Sequence, residues 1–219
     1  MIYTITLNPA LDRTLWIQNM RDDVSNRIIE EKSFAGGKSV DVSKVLKNLG
    51  QENIALGFVG GFAGRELEGR LLNEGIETDF VRVSGETRTN IVIHEKDTGK
   101  QYVFNARGPE IRPDELMQFI EQLERLPCSD LVTIGGSLPL GISPEIYRKI
   151  INLVKKCQVR VVLDVDGILE VDDLPPELAE LEGPGEVRRE GLLDLLGQPL
   201  SEIEKWAILE TLKLTTGNR

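Results

Sequence analysis

A glycine pair followed by a lysine, at positions 36 to 38, is the arrangement in this chain best suited to binding an anion. The sequence continues as SVDVSKVLKNLG, with apolar residues at the spacing of an amphipathic helix. The first backbone N–H groups of a helix lack partners inside it and carry partial positive charge, and Gly36 and Gly37 let a ligand approach the main chain closely. Lys38 adds a full charge. The stretch predicts an anion site; the alternative is an ordinary strand-to-helix turn with a solvated lysine.

A carboxylate near the start of the chain is a second candidate for ligand binding. Residues 2–7, IYTITL, predict a buried strand that ends at the turn signal Asn8-Pro9, and Asp12 follows this turn. Open α/β sheets place ligands at the carboxyl ends of their inner strands, where a carboxylate can accept hydrogen bonds from hydroxyl groups. Asp12 is therefore a candidate binding residue, and the alternative is an Asp in a surface turn.

A predicted hairpin carries a third group of polar side chains. Residues 87–95 and 100–108 alternate in polarity around Asp97-Thr98-Gly99, so Arg88 and Asn90 share one face of the first strand and Asn105 and Arg107 are expected on the return strand. A guanidinium binds phosphate in a bidentate way, and amides bind hydroxyl groups. Exposed hairpins also carry such residues without any ligand.

The elements that must position these residues alternate between strand and helix. Apolar runs over 54–59, 130–134 and 159–163 predict strands, the second of them buried, and amphipathic periodicity predicts helices between them. Such alternation indicates an α/β fold with a mostly parallel sheet and helices on both faces. Ser137, in the small-residue turn GGSLPLG, is expected at the end of one of these strands.

Composition restricts the class of protein. The 219 residues carry a net charge of −10, which argues against a general nucleic-acid surface. No apolar run is long enough to cross a bilayer, and the expected location is the cytoplasm. Cys128 and Cys157 lack metal-ligand spacing and are expected to be thiols in a reducing compartment, while His94 has no neighbouring Cys or His and is expected to be no metal ligand.

Five segments occur in the order that is typical of one enzyme family. They are TLNPALD, AGGKSVDVSKVLKNLG, TRTN, GGSLP and VVLDVDG. Together they resemble the PfkB (ribokinase-like) family of sugar kinases, most closely its 1-phosphofructokinase and tagatose-6-phosphate kinase branch, over residues 1–167. The resemblance implies a three-layer ribokinase-like parallel sheet with a β lid, formed by strands at about 12–34 and 86–108. It also implies ATP-dependent phosphorylation of fructose 1-phosphate or tagatose 6-phosphate with Mg-ATP, and a homodimer formed through the lid.

The resemblance assigns roles to several of the candidate residues. It implies that Asp12 holds sugar hydroxyl groups and that the Gly36-Gly37-Lys38 turn faces the substrate. The residues that it implies for the phosphate or hydroxyl groups of the sugar are Arg88, Asn90, Asn105 and Ser137.

The chain departs from the family pattern in two ways. The motif usually reads Gly-Gly-Lys-Gly-x-Asn, whereas Ser39 replaces the third glycine here and Asp41 replaces the asparagine at a substrate-binding position, exchanging an amide for a carboxylate that repels phosphate. Nothing after residue 167 resembles the Gly-Ala-Gly-Asp motif that supplies the anion hole and the catalytic base. The expectation is a domain that stops before its nucleotide-binding half and is catalytically incomplete. A non-catalytic sugar-phosphate-binding or dimerising module is the alternative.

The remainder of the chain has a different character. Residues 168–199 are expected to form a polar linker, and residues 200–219 a helical tail. This region resembles a fragment of a sigma-54-dependent (NtrC-like) transcriptional activator, without a recognition helix, so no nucleic-acid binding is expected. A fragment of a transcriptional regulator is accordingly the second alternative function.

Overall fold

The computed structural model describes residues 1–127, 131–154 and 159–165, all within the compact unit Met1–Pro175. These residues form nine strands and four helices. The strands are β1 (Ile2–Thr6), β2 (Ala10–Ile17), β3 (Ile28–Gly36), β4 (Asn53–Val59), β5 (Glu77–Arg82), β6 (Arg88–Glu95), β7 (Gln101–Phe104), β8 (Leu131–Gly136) and β9 (Arg160–Val165). The helices are α1 (Lys38–Asn48), α2 (Gly61–Asn73), α3 (Pro113–Arg125) and α4 (Glu145–Val154).

Five strands form a parallel sheet in the order β5-β4-β1-β8-β9. Its central strand β1 is buried from Tyr3 to Thr6, and β4 is buried over most of its length. Apolar and β-branched residues on both sides of these strands suit a sheet that is covered on both faces. The expected α/β fold with a mostly parallel sheet is therefore confirmed.

Helices cover the two faces of this sheet. On one face, the hydroxyl of Thr4 lies 2.5 Å from that of Ser43 in α1, and residues of α1, α2, β4 and β5 share one hydrophobic cluster. On the other face, Phe58 of β4 packs on Phe119 of α3 with ring centroids 4.9 Å apart, and α4 packs beside α3. The result is the three-layer arrangement that the resemblance implied.

The second sheet is the lid, which we define as the strands β3-β2-β6-β7 in that order. β2 pairs with β3 in antiparallel and with β6 in parallel orientation, and β6 pairs with β7 as the predicted hairpin. Most of β3 is exposed until Ala35 and Gly36, which are buried where the strand meets α1. The lid therefore joins the parallel sheet at the glycine turn.

Asp12 follows the Asn8-Pro9 turn as expected and lies within β2, which begins at Ala10, so it is not a residue of a surface turn. One expectation about the candidate residues was wrong. The return strand of the hairpin ends at Phe104, so that Asn105 and Arg107 lie beyond it. The strand ends because side chains, and not a neighbouring strand, form hydrogen bonds with the backbone after Phe104. Asn90 Oδ1 accepts the Ala106 N–H at 3.1 Å, and Asn8 Nδ2 donates to the Arg107 carbonyl at 3.0 Å.

Some expectations fall outside the described residues. These are Cys128, Cys157, the linker at 168–199 and the helical tail at 200–219. Within the described part of the chain, no helix is both long enough and apolar enough to span a membrane.

Candidate substrate site

A cleft of about 450 Å³ opens between the lid and the first turns of α1. Its walls come from three lid strands, from the helix and from the loop after β7. The lining residues are Asp12, Thr14, Phe34, Ala35, Asp41, Lys44, Asn90, Val92 and Asn105. The structure therefore brings four of the predicted site residues, Asp12, Asp41, Asn90 and Asn105, into one cavity.

Asp12 lies in the middle of the lid and is held by its neighbours on both sides. The β-sheet register sets it opposite Phe34 of β3 and Asn90 of β6, and Asn90 Nδ2 donates a hydrogen bond to Asp12 Oδ1 at 2.8 Å. Burial raises the pKa of the Asp12 carboxyl, and the Asp41 charge acts in the same direction, whereas the Asn90 hydrogen bond and the charges of Arg88 and Lys44 oppose the shift. This carboxylate can accept hydrogen bonds from hydroxyl groups in the cleft.

Gly36 is required because the Asp12 carboxylate occupies the space beside it. A Cβ atom on Gly36 would lie 2.0 Å from Asp12 Oδ2 and 2.6 Å from its Cγ. Cβ atoms essentially never approach other heavy atoms so closely. The glycine that the sequence singled out thus makes room for the carboxylate of Asp12.

Gly37 and Lys38 serve the beginning of α1. Gly37 is the N-cap residue with φ 129°, a conformation that favours glycine, and its carbonyl accepts the Asp41 N–H at 2.8 Å. Lys38 Nζ lies 3.0 Å from Asp164 Oδ1, at the end of β9. Neither residue is among those that line the cleft, although both form the helix N-terminus beside it.

Asp41 and Lys44 project from α1 into the cleft. Lys44 Nζ lies 3.4 Å from Asp41 Oδ1 and also donates a hydrogen bond to the carbonyl of Ala35. Lys44 was not identified from the sequence. The signal that could have found it is the i, i+3 spacing from Asp41, which brings both side chains to the same helix face.

Arg88 is at the base of the lid, outside the residues that line the cleft. It lies opposite Ala10 in the β2–β6 pairing, and its guanidinium donates to the Ala106 carbonyl at 3.3 Å. Its charge reaches Asp12, whose pKa it lowers. Arg88 therefore orders the 105–108 loop beside Asn105 while it contributes positive charge to the site.

Ser137 and the missed residue Asn8 form a separate junction below the lid. Asn8 is 3% exposed. Its Nδ2 lies 3.0 Å from the Arg107 carbonyl, 3.3 Å from Ser137 Oγ and 3.4 Å from the Leu138 carbonyl. In the sequence Asn8 reads only as a turn signal before Pro9, because its partners lie about a hundred residues or more away.

The described residues contain no group of three or more His, Cys, Asp or Glu side chains that could hold a metal ion. His94 lies on β6 and stacks on Trp16, with ring centroids 5.4 Å apart. Its position is that of a lid residue, as the sequence suggested.

Comparison with known proteins agrees with this architecture. The profile of the pfkB family carbohydrate kinases matches residues 2–185. The chain is 36% identical to the 1-phosphofructokinase of Bacillus subtilis over 180 residues, which cover 81% of this chain and 58% of that protein. It is also 36% identical to the D-tagatose-1-phosphate kinase of Bacillus licheniformis, over 80% of this chain and 56% of that protein.

A solved structure, that of phosphofructokinase-2 from Escherichia coli in complex with fructose-6-phosphate, superposes with a TM-score of 0.70 at 29% identity. The match covers 76% of this chain and 55% of that chain. The chain thus spans between half and three fifths of the length of these relatives. The agreement in sequence and fold shows that the chain belongs to the pfkB family of carbohydrate kinases.

Proposed function

We propose that the cleft between the lid and α1 binds a phosphorylated ketohexose. The observation that carries this proposal is the Asp12–Asn90 pair inside the cleft, where one carboxylate and one amide can bind hydroxyl groups of a sugar. Lys44 lines the same cavity, and the N-terminus of α1 lies beside it. A cation and a helix N-terminus suit a phosphate group.

The reaction that we propose is ATP-dependent phosphorylation of fructose 1-phosphate or tagatose 6-phosphate. Fructose 1-phosphate is supported by the relative named 1-phosphofructokinase. The relative named D-tagatose-1-phosphate kinase supports a tagatose phosphate as substrate, but its name gives the 1-phosphate, so the choice of the 6-phosphate rests on the sequence resemblance alone. The chain spans 58% of the length of the first relative and 56% of the second. That this chain itself carries out the reaction is therefore a proposal. Binding of Mg-ATP and a cytoplasmic location stay predictions.

A non-catalytic sugar-phosphate-binding module is the second candidate. Three polar residues of the cleft favour it: Asp12, Asn90 and Asn105. They come from the lid and its adjoining loop, and such a group of side chains is suited to holding a sugar. Binding and phosphoryl transfer are separable, since transfer also needs a positioned nucleotide, metal and base. The regulator-fragment alternative rests on residues outside the described part of the chain and stays a prediction.

We also propose that the lid pairs with the lid of a second copy. Large apolar side chains on its two edge strands are about half exposed: Ile28 and Ile29 at 51% on β3, and Val103 at 55% and Phe104 at 54% on β7. Exposed apolar groups clustered on one sheet are typical of an interaction surface. A homodimer would cover them.

The test combines turnover with ligand-induced stabilisation. ADP release is followed with fructose 1-phosphate, fructose 6-phosphate and tagatose 6-phosphate, and thermal shifts are measured with each sugar and with Mg-ATP. Stabilisation by a sugar phosphate that disappears in Asp12→Ala supports the binding site, and ADP release that also disappears supports the kinase. Sugar stabilisation without ADP release favours the binding module. No stabilisation by any of the three sugars would contradict the proposal.

A further inference from the structure

Phe34 places an aromatic ring inside the cleft, next to its carboxylate. It lies on β3 and lines the cavity together with Asp12, which the β2–β3 register sets directly opposite it. Side chains that lie opposite each other on one face of an antiparallel pair have Cβ atoms about 4.5–5.5 Å apart. A sugar ring that donates a hydrogen bond to Asp12 is therefore close enough to touch Phe34 as well.

The two carboxylate oxygens of Asp12 point to different strands. Oδ1 accepts the hydrogen bond from Asn90 on β6, whereas Oδ2 lies beside Gly36 on β3, where it would contact a Cβ atom. Gly36 and Phe34 are two residues apart on β3, so they lie on the same face of the lid. An acceptor for a hydroxyl group and an apolar ring thus lie side by side along β3.

We propose that Phe34 is a specificity-determining residue, which makes the cleft select fructose over its 4-epimer, tagatose. The inference rests on the proposed function, since it concerns the sugar in the same cleft. In the five-membered ring of fructose, the 3- and 4-hydroxyl groups lie on opposite faces, whereas in tagatose they lie on the same face. At these carbons, each face of fructose therefore presents a hydroxyl group beside a C–H group. Tagatose presents both hydroxyl groups on one face and both C–H groups on the other.

The cleft matches the fructose pattern, because it offers a hydrogen-bond acceptor beside an apolar surface. The hydroxyl group of fructose donates to Asp12 Oδ2, and the neighbouring C–H group lies on the face of the Phe34 ring, whose negative π surface attracts it. Tagatose either turns its second hydroxyl group against the ring or offers Asp12 no hydroxyl group from these carbons. Because a polar group then loses its partner, we expect tagatose to bind roughly 10-fold more weakly.

Matched pairs of epimers test this preference. Fructose 6-phosphate and tagatose 6-phosphate differ only at carbon 4, and so do fructose 1-phosphate and tagatose 1-phosphate. Dissociation constants are measured by isothermal titration calorimetry, and the wild type is expected to prefer the fructose member of each pair that it binds. In Phe34→Asn an amide replaces the ring and can bind the second hydroxyl group, so the preference is expected to disappear. Phe34→Leu keeps an apolar surface at this position and is expected to keep the preference.

Phe62→Ala is the matched control. It removes the same kind of ring from α2, where Phe62 is not among the residues that line the cleft, and should leave both dissociation constants unchanged. A loss of folding or of lid pairing affects both epimers alike, so the ratio of the two dissociation constants reports on the contact with the sugar.

The outcomes separate this inference from the proposed function. A wild type that binds both epimers equally well, a Phe34→Asn variant that still prefers fructose, or a Phe34→Leu variant that loses the preference would each overturn the role of Phe34 and leave the binding site in place. A wild type that binds neither member of either pair would contradict the proposed function, and this inference with it.

Discussion

Gly36→Ala is the change that most directly tests the architecture of the cleft. The strand conformation of Gly36 admits an alanine, because this glycine is not among those with positive φ. The obstacle is Asp12, whose Oδ2 would lie 2.0 Å from the new Cβ. Unbonded heavy atoms in contact lie roughly 3.5 Å apart, so the carboxylate must move by about 1.5 Å.

That displacement exceeds what the hydrogen bond between Asn90 and Asp12 tolerates. The bond is 2.8 Å long, and a bond to a charged group contributes about 1.5–3 kcal/mol. We expect Gly36→Ala to lower the free energy of unfolding by about that amount. If the cleft binds a sugar phosphate, affinity should fall by roughly 10- to 100-fold, because a displaced Asp12 loses a hydrogen bond to the sugar that contributes about 1.5–3 kcal/mol.

The measurement is urea unfolding, together with thermal shift against fructose 1-phosphate. The matched control is Gly69→Ala, since a Cβ there meets nothing within 4 Å and the position lies inside α2. This control is expected to be stabilising by about 0.5–1 kcal/mol, as helix propensity favours alanine. In an Asp12→Ala background the penalty of Gly36→Ala should vanish. A penalty that stays complete without the carboxylate would refute the reasoning.

Three further changes test the electrostatics and the loop junction. Asp12→Asn should raise the free energy of unfolding at neutral pH, because burial raises the carboxyl pKa above 3.8; the gain should fade in acid, where the native carboxyl is protonated, as urea titrations across pH will show. Glu115→Gln should lower stability by about 1–3 kcal/mol. Burial raises the pKa of the Glu115 carboxyl, but the hydrogen bonds that it accepts from the Ser84 and Arg112 backbone N–H groups outweigh burial, and the pKa lies below 4.5. The loss of stability in the variant should therefore be largest at neutral pH and shrink as the pH falls. Asn8→Ala should cost about 1–3 kcal/mol and speed amide exchange in residues 105–108, since it removes the donor to Arg107.

The parallel sheet could be predicted because each of its strands has a recognisable local sequence pattern. Residues 2–7 and 54–59 are short apolar runs bounded by turn signals, and β1 and β4 lie there. The end of β7 could not be predicted, since the alternating pattern continues to Arg107. The strand ends because the side chains of Asn90 and Asn8 take up the backbone hydrogen bonds of Ala106 and Arg107. Both asparagines are far from these residues in the sequence, so a local sequence pattern does not show the end of the strand.

Site residues could be predicted at positions where the local structure requires one particular type of residue. Gly37 at a helix start requires a conformation that glycine prefers, and it was identified by the glycine pair alone. Asp12 was identified as a candidate and a lid strand was expected from about residue 12, but the strand begins earlier, at Ala10, because the turn at Asn8-Pro9 is short. Lys44 was missed because a lysine on an amphipathic helix is usually solvated, and only the fold brings it to the Ala35 carbonyl.

The two departures from the family motif have different consequences in three dimensions. Ser39 is 2% exposed, and its hydroxyl lies 3.5 Å from that of Thr133 in β8. A Cβ on Gly135 would lie 2.7 Å from Ser39 Oγ, so the glycine of the strand leaves the space that the serine fills. Ser39 is therefore accommodated in the interface between helix and sheet, and it is not among the residues that line the cleft.

Asp41 is the departure that acts on the cleft. Its carboxylate lines the cavity and raises the pKa of Asp12, and Lys44 lies 3.4 Å from it. An ion pair at such an exposed position contributes little to stability, about 0–1 kcal/mol, so its effect is on the ligand. Because Lys44 is shared with Asp41, a phosphate must compete for that cation. Asp41→Asn should accordingly strengthen sugar-phosphate binding, measured by thermal shift, while leaving the free energy of unfolding nearly unchanged.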